Sequence, residues 1–171
     1  MKRWAVLTFC FASVVCGAWG QAIEKVAAPE GHAAVLSAYR KACLTPANVA
    51  TVMNFDSLAV LYLAQNPESA LGQGMKSTAQ LMLAESMWNP IDKLSQFQAW
   101  QPQLEEAIAA QPSDPDLRFF RLSVQYSVPA LLQYDADMEN DAEMVRKAHA
   151  SGHWSNQPEH ETFVTDFLNQ L

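Results

Sequence analysis

The chain has 171 residues, 50% of them hydrophobic, and its acidic residues outnumber the basic ones to give a formal net charge of −7. A surface of that sign repels phosphate backbones and anionic headgroups, which argues against nucleic-acid binding and against docking on anionic lipid. The length suits one domain of ordinary size.

The first 22 residues have the order of a secretory signal peptide. The basic pair Lys2–Arg3 is followed by the apolar stretch Trp4–Val15 and then by small residues up to Ala22. This stretch is shorter than the ~20 residues of a membrane-spanning helix. We expect cleavage after Gly20 or Ala22, a single mature domain over residues 23–171 with no transmembrane segment, and a location in the periplasm or outside the cell.

Two of the three cysteines lie in this leader, so only Cys43 remains after export and no internal disulfide can form. Acylation of Cys16 would need lipoprotein-type residues before it, and Val15 and Ser13 fit that pattern poorly. A lipid anchor at Cys16 is therefore not expected. For Cys43 we expect a buried small apolar residue, with an intermolecular disulfide or a reactive thiol as the alternatives.

Helical periodicity dominates the remaining sequence. In chain order, the pattern predicts a helix over residues 32–44 and a second that starts at a Thr45–Pro46 cap. The second helix either reaches Gln65 or breaks near residues 54–57. Asn66–Pro67 then indicates a turn.

Two glycines, Gly72 and Gly74, weaken the helical pattern of the segment after this turn, and helical spacing of apolar residues returns at Met75. Asn89–Pro90 opens the next helix, in which Pro102 is expected to cause a kink or a restart.

Asp114–Pro115 combines an N-cap aspartate with proline at the first helical position. The helix predicted after it, residues 116–128, is apolar over much of its circumference and should be central in the core. A short helical turn over 130–134, a helix over 137–150 closed by Gly152, and a last helix over 159–171 complete the chain. The prediction is an all-α single domain of about six to eight helices, packed as irregular helical hairpins.

Two segments carry a resemblance to known families. The segment 104–115, LEEAIAAQPSDP, resembles the junction between tetratricopeptide-type repeats, where an alanine-rich helix turns through a proline into the next helix. Residues 90–145, with RFFRL at 118–122 followed by Gln125, Pro129 and Tyr134, are similar to a family of exported bacterial proteins of unknown function. That resemblance implies an all-helical exported domain and brings no catalytic assignment.

The sequence offers one candidate polar site. Arg118, Arg121 and Gln125 share a stripe of the predicted central helix because their spacing is i, i+3 and i+7. Guanidinium groups near a core need partners, which the acidic segment leading to Asp141 can supply. One interpretation is an ion-pair network that ties two helices together. The other is a ligand site for an anion or a carboxylate, built from the same residues with Tyr134 and Asp141.

Metal and catalytic signals are weak. His149 and His153 are four residues apart, a spacing that can hold zinc on a continuous helix, but Gly152 between them should end the helix. His149 and the nearby His160 are therefore only weak zinc candidates. Neither a metal nor another cofactor is predicted. The Glu105–Glu106 pair is expected to face solvent. The sequence contains no nucleophile elbow, phosphate loop or dinucleotide fingerprint.

These observations predict an exported, non-enzymatic helical module that binds a protein or peptide partner, since stacked helical pairs leave a concave face. The alternative is a small ligand-binding protein or hydrolase that uses Arg118, Arg121 and the acidic segment 135–141.

Overall fold

A computed structural model describes residues 31–171, and within this range the chain forms seven α-helices, one 3-10 helix and no strand. The α-helices are α1 (Gly31–Leu44), α2 (Val49–Gln65), α3 (Ala70–Ser86), α4 (Pro90–Ala110), α5 (Pro115–Ser127), α6 (Met138–Ala150) and α7 (Pro158–Leu168), and the 3-10 helix is Ala130–Leu132. The predicted all-α fold of six to eight helices is confirmed. The signal peptide predicted over residues 1–22, its cleavage sites and the question of an anchor at Cys16 lie outside the described residues.

None of the helices in residues 31–171 has the length and apolar character needed to cross a bilayer.

Side-chain caps fix where four helices begin. The capping residues, each of which accepts a hydrogen bond from a backbone N–H in the first turn, are Asn48, Ser69, Asn89 and Asp114. The starts predicted at Asn89–Pro90 and Asp114–Pro115 are confirmed. The start predicted at Thr45 is wrong by a few residues, because the Thr45 hydroxyl donates instead to the carbonyl of Lys41 at the end of α1, at 2.7 Å.

The structure also decides how far the helices run. Of the two alternatives for the second helix, the unbroken one is correct, since α2 runs to Gln65, and α4 continues through Pro102 without a restart. Helix α3 begins at Ala70 and so includes the two glycines that the sequence treats as weakening. Gly74 has a packing reason for its presence, because a Cβ there would overlap Leu117 Cδ2 of α5. Close approach of α3 and α5 therefore requires glycine.

Helix α5 is central in the core, as its all-round apolar pattern predicts. It contacts α3, α4 and α6. The ring of Tyr39 from α1 packs edge-on against Phe120 and Phe119 of α5, with centroid distances of 4.9 and 6.1 Å, and all three rings are buried. Such edge-to-face pairs add to the area burial that holds α1 on α5.

Short connections make neighbouring helices pack as hairpins. Consecutive helices from α1 to α4 contact one another, α5 contacts α6, and α7 contacts both α6 and α1. The first and last helices of the described range are thereby joined. The ends of α1, α3, α5 and α7 line one common groove, which is described below.

Candidate functional site

The predicted polar site is a group of interlocked charges, here called the arginine–carboxylate cluster: Glu105, Arg118, Arg121, Tyr134 and Asp141. Arg121 donates from Nε and Nη2 to the two oxygens of Asp141, at 2.6 and 2.9 Å, and Arg118 Nη1 donates to Asp141 Oδ1 at 2.9 Å. Arg121 Nη1 also donates to Glu105 Oε2 at 2.7 Å, and the Tyr134 hydroxyl donates to the other oxygen of Glu105.

The charges of this cluster are satisfied within the protein. Asp141 is fully buried and Arg121 nearly so. Burial by itself would lower the pKa of Arg121, but the charges and hydrogen bonds of Asp141 and Glu105 raise it. Burial and the neighbouring Glu105 raise the pKa of Tyr134 well above its ordinary value, so the phenol stays protonated. The ion-pair network that the sequence suggested between α5 and the acidic segment is therefore present, whereas a ligand-binding role for these residues stays a prediction.

Two residues lie elsewhere than the sequence indicated. Gln125 is buried, but it makes none of the cluster's contacts, and its Oε1 has no hydrogen-bond partner among the described residues. Glu105 was expected to face solvent together with Glu106. Its side chain is only 32% exposed because it bridges Arg121 and Tyr134. Glu106 is exposed as expected.

A second cluster was not foreseen. Three of the chain's four histidines, His32, His153 and His160, gather around Asp116 near the start of α5. Asp116 is buried, its Oδ1 accepts from Trp154 Nε1 at 2.8 Å, and its Oδ2 lies 3.2 Å from His32 Nε2 and 3.5 Å from His153 Nε2. The carboxylate therefore links α1, α5 and the connection between α6 and α7.

The protonation of this second cluster follows from its surroundings. Burial would raise the pKa of Asp116, but contacts with His153 and His32 and the hydrogen bond from Trp154 keep it below its usual range. The hydrogen bond to Asp116 raises the pKa of His153. His160 is fully buried against the rings of Phe119 and Trp154, and burial lowers its pKa to about 4. At neutral pH, His160 is a neutral core residue.

The weak zinc candidates are not neighbours in a metal-binding arrangement. His149 Nε2 lies 2.9 Å from Thr165 Oγ1. As predicted, Gly152 ends α6, with φ of +78°, and the amides of Gly152 and His153 bond back to the carbonyls of His149 and Ala148. His160 lies in the core. Over residues 31–171, no group of three His, Cys, Asp or Glu side chains has a geometry that could hold a metal ion.

The helix ends also form an open groove of about 1120 Å³, here called the apolar groove. It is bounded by the last turns of α1, α3, α5 and α7, by the first turns of α4 and by the 3-10 helix. Apolar side chains dominate its lining, including Phe97, Val124 and Phe167. Four large apolar residues of the lining are exposed to solvent: Leu44 (71%), Leu94 (42%), Tyr126 (46%) and Leu131 (89%).

No protein-family model, curated protein or solved structure matches this chain. The resemblances to tetratricopeptide-type repeats and to exported bacterial proteins stay predictions. The case for a function depends on the geometry of the described residues.

Cys43 lies on the wall of the apolar groove. It is partly buried and free, and burial raises the pKa of its thiol to about 12. The thiol is therefore protonated at neutral pH and behaves as a small apolar group, although Cys43 is only partly buried where the sequence predicted a buried residue.

Proposed function

We propose that this protein is an exported helical binding module that takes an apolar segment of a protein partner into the apolar groove. The observation that supports this proposal is the groove itself, with its apolar lining and its exposed Leu44, Leu94, Tyr126 and Leu131. Exposed single apolar residues are common, but a contiguous apolar surface on a monomer marks an interaction site.

The open shape of the groove favours a peptide over a small molecule. Pockets for small ligands usually enclose most of the ligand. The apolar groove, of about 1120 Å³, is open to solvent and leaves Leu44 and Leu131 exposed along its lining. Such a surface suits the helix-in-groove mode, in which several apolar side chains from one face of a partner helix insert together. Met82 on its wall adds a side chain that adapts to irregular partners.

The alternative function, small-molecule binding or hydrolysis at the arginine–carboxylate cluster, has weaker support from the geometry. A ligand carboxylate or phosphate would have to replace Asp141, whose two oxygens already receive three hydrogen bonds from Arg118 and Arg121. Asp141 is fully buried, so displacing it would leave an unpaired charge in the core, which costs several kcal/mol, about 3–5 in measured cases.

Peptide selection tests the proposal. A display library of short random peptides is selected on the mature protein, and the affinities of enriched peptides are measured by fluorescence anisotropy. The groove is blocked by Ser127→Trp, since Ser127 is exposed and lines the groove. Ser57→Trp is the matched control, because Ser57 is also an exposed helical serine that donates to the carbonyl four residues earlier, and it does not line the groove.

We expect apolar peptides that bind the wild type and Ser57→Trp with equal affinity and lose binding to Ser127→Trp. A selection that enriches no peptide, or peptides that bind all three proteins alike, would contradict the proposal.

Export is tested separately by the intact mass of the protein from a periplasmic fraction. Cleavage after Gly20 or Ala22 gives a chain that starts at Gln21 or Ile23. A chain that retains Met1, or one that starts at an acylated Cys16, would contradict this part of the proposal.

A further inference from the structure

The apolar groove carries a negative electrostatic bias from the helices that form it. Four helices, α1, α3, α5 and α7, contribute their last turns to the lining, whereas only α4 contributes its first turns. Carbonyl groups left without intrahelical partners give the C-terminal end of a helix a partial negative charge that favours cations. The lining therefore presents more helix ends that attract a cation than ends that attract an anion.

The side chains of the lining reinforce this bias. Its charged residues are Glu85, Lys93 and Asp166. Glu85 and Asp166 are exposed, and neither carboxylate takes part in an ion pair within residues 31–171. They come from the last turns of α3 and α7, so they add full charges to ends that already carry partial negative charge.

Lys93 shows that this surface accepts an ammonium group. Its Nζ donates to the backbone carbonyl of Glu85 at 3.0 Å, at the C-terminal end of α3. This contact directs the single cation of the lining toward a helix end, while the carboxylate of Glu85 has no cationic partner among the described residues. The groove can accept a further cation next to its apolar lining.

We infer that the occupant of the apolar groove is a peptide segment that carries a lysine or an arginine beside its apolar residues. The apolar side chains of the segment fill the groove, and its cation pairs with Glu85 and Asp166. This inference rests on the proposed function, because it specifies the chemistry of the partner at the same site.

The expected effect is one of specificity. Ion pairs at exposed sites are each worth about 0.2–1 kcal/mol, so two carboxylates should improve the affinity of a basic peptide over a neutral one by roughly two- to thirtyfold at low salt. Acidic peptides should be disfavoured by a similar factor, since opposing like charges repel. Both differences should shrink at high salt, where exposed charges are screened.

The experiment starts from the display selection described above. One enriched peptide is synthesised in three forms, with lysine, glutamine or glutamate at its polar positions, and the three dissociation constants are measured at low and high salt. The test variant is Glu85→Gln/Asp166→Asn. The matched control is Glu68→Gln/Glu106→Gln, which removes the same amount of charge from exposed residues that do not line the groove.

We expect the lysine form to bind the wild type most tightly and the glutamate form most weakly, with this order kept in the control and lost in the test variant. Equal binding of the three forms, or an order that survives in the test variant, would overturn the inference and leave the proposed function standing. The absence of any peptide that requires an open groove would instead overturn the proposed function.

Discussion

Replacing Asp141 with asparagine should cost this protein much of its stability, because Asp141 is the buried centre of the arginine–carboxylate cluster. Asparagine keeps the shape of the side chain but removes the charge that receives three hydrogen bonds from Arg118 and Arg121. Removing one partner of a buried ion pair costs about 3–5 kcal/mol. Arg121 keeps its contacts with Glu105 and with Asp137, at 2.7 and 3.0 Å. We therefore expect the free energy of unfolding to fall by about 3 kcal/mol, the low end of this range, which corresponds to roughly a hundredfold change in the folding equilibrium constant.

Urea unfolding followed by tryptophan fluorescence measures this loss, since Trp154 is buried and reports on the folded core. For a small domain the free energy of unfolding falls by about 1–3 kcal/mol per molar urea, so Asp141→Asn should lower the midpoint by about 1–3 M. Glu143→Gln is the control on the same helix. Glu143 is exposed and pairs only with Lys147 among the described residues, so its midpoint should match the wild type.

A double-mutant cycle with Arg118→Met checks that the loss comes from the cluster. The two substitutions should be less harmful together than the sum of their separate effects, because they remove the same contact. If Asp141→Asn unfolded at the wild-type midpoint, the reasoning that this cluster holds α6 on α5 would be refuted, and the candidate ligand site there would regain support.

Three further predictions follow from packing and burial. Gly74→Ala should destabilise the protein by about 1–3 kcal/mol in urea unfolding, because its Cβ would lie 2.1 Å from Leu117 Cδ2 in the packed core. Gly72→Ala should cost less, because its Cβ would come no closer than 3.1 Å to Tyr62 Cδ1 and 3.4 Å to the Leu63 Cα; equal effects would contradict this. Burial lowers the pKa of His160 from 6.5 to about 4, so the unfolded chain binds more protons than the folded protein between pH 6.5 and pH 4. The free energy of unfolding should therefore fall by about 3 kcal/mol as the pH drops over this range. In His160→Leu this pH dependence of the free energy of unfolding should be lost. The Cys43 thiol, with its pKa raised to about 12, should resist a thiol reagent in the folded protein and react in urea; rapid labelling without urea would show that the thiol is accessible and ionised.

The arginine–carboxylate cluster could be predicted in part because its members follow a helical rule. Arg118 and Arg121 lie three residues apart on an otherwise apolar helix, so their guanidinium groups had to meet carboxylates, and the nearby acidic segment offered them. Glu105 could not be assigned in this way. It lies on α4, and no local pattern indicates that α4 brings it to Arg121 while Glu106 stays exposed.

The second cluster, which gathers His32, His153 and His160 around Asp116, could not be predicted from the sequence for the same reason. Asp116 lies beside a helix cap, where an acidic residue is ordinarily explained by the helix dipole. His32 lies on α1 and His153 in the connection after α6, so their contacts with Asp116 depend on how three distant segments pack. The apolar groove is likewise a product of packing, since no local pattern in the sequence indicates that Leu131, a large apolar residue, is 89% exposed in the fold.

Local chemistry in the sequence was enough to determine the helical class of the chain, the caps at Asn89 and Asp114 and the central position of α5, because periodicity, capping and proline geometry act over a few residues. Gly74, by contrast, is interpreted from the sequence as a residue that weakens a helix, and only the structure shows that Leu117 occupies the space that a Cβ would need. Tertiary structure decided which charges meet and which apolar surface stays open, because both depend on side chains that are far apart in the chain and are brought together only when the helices pack.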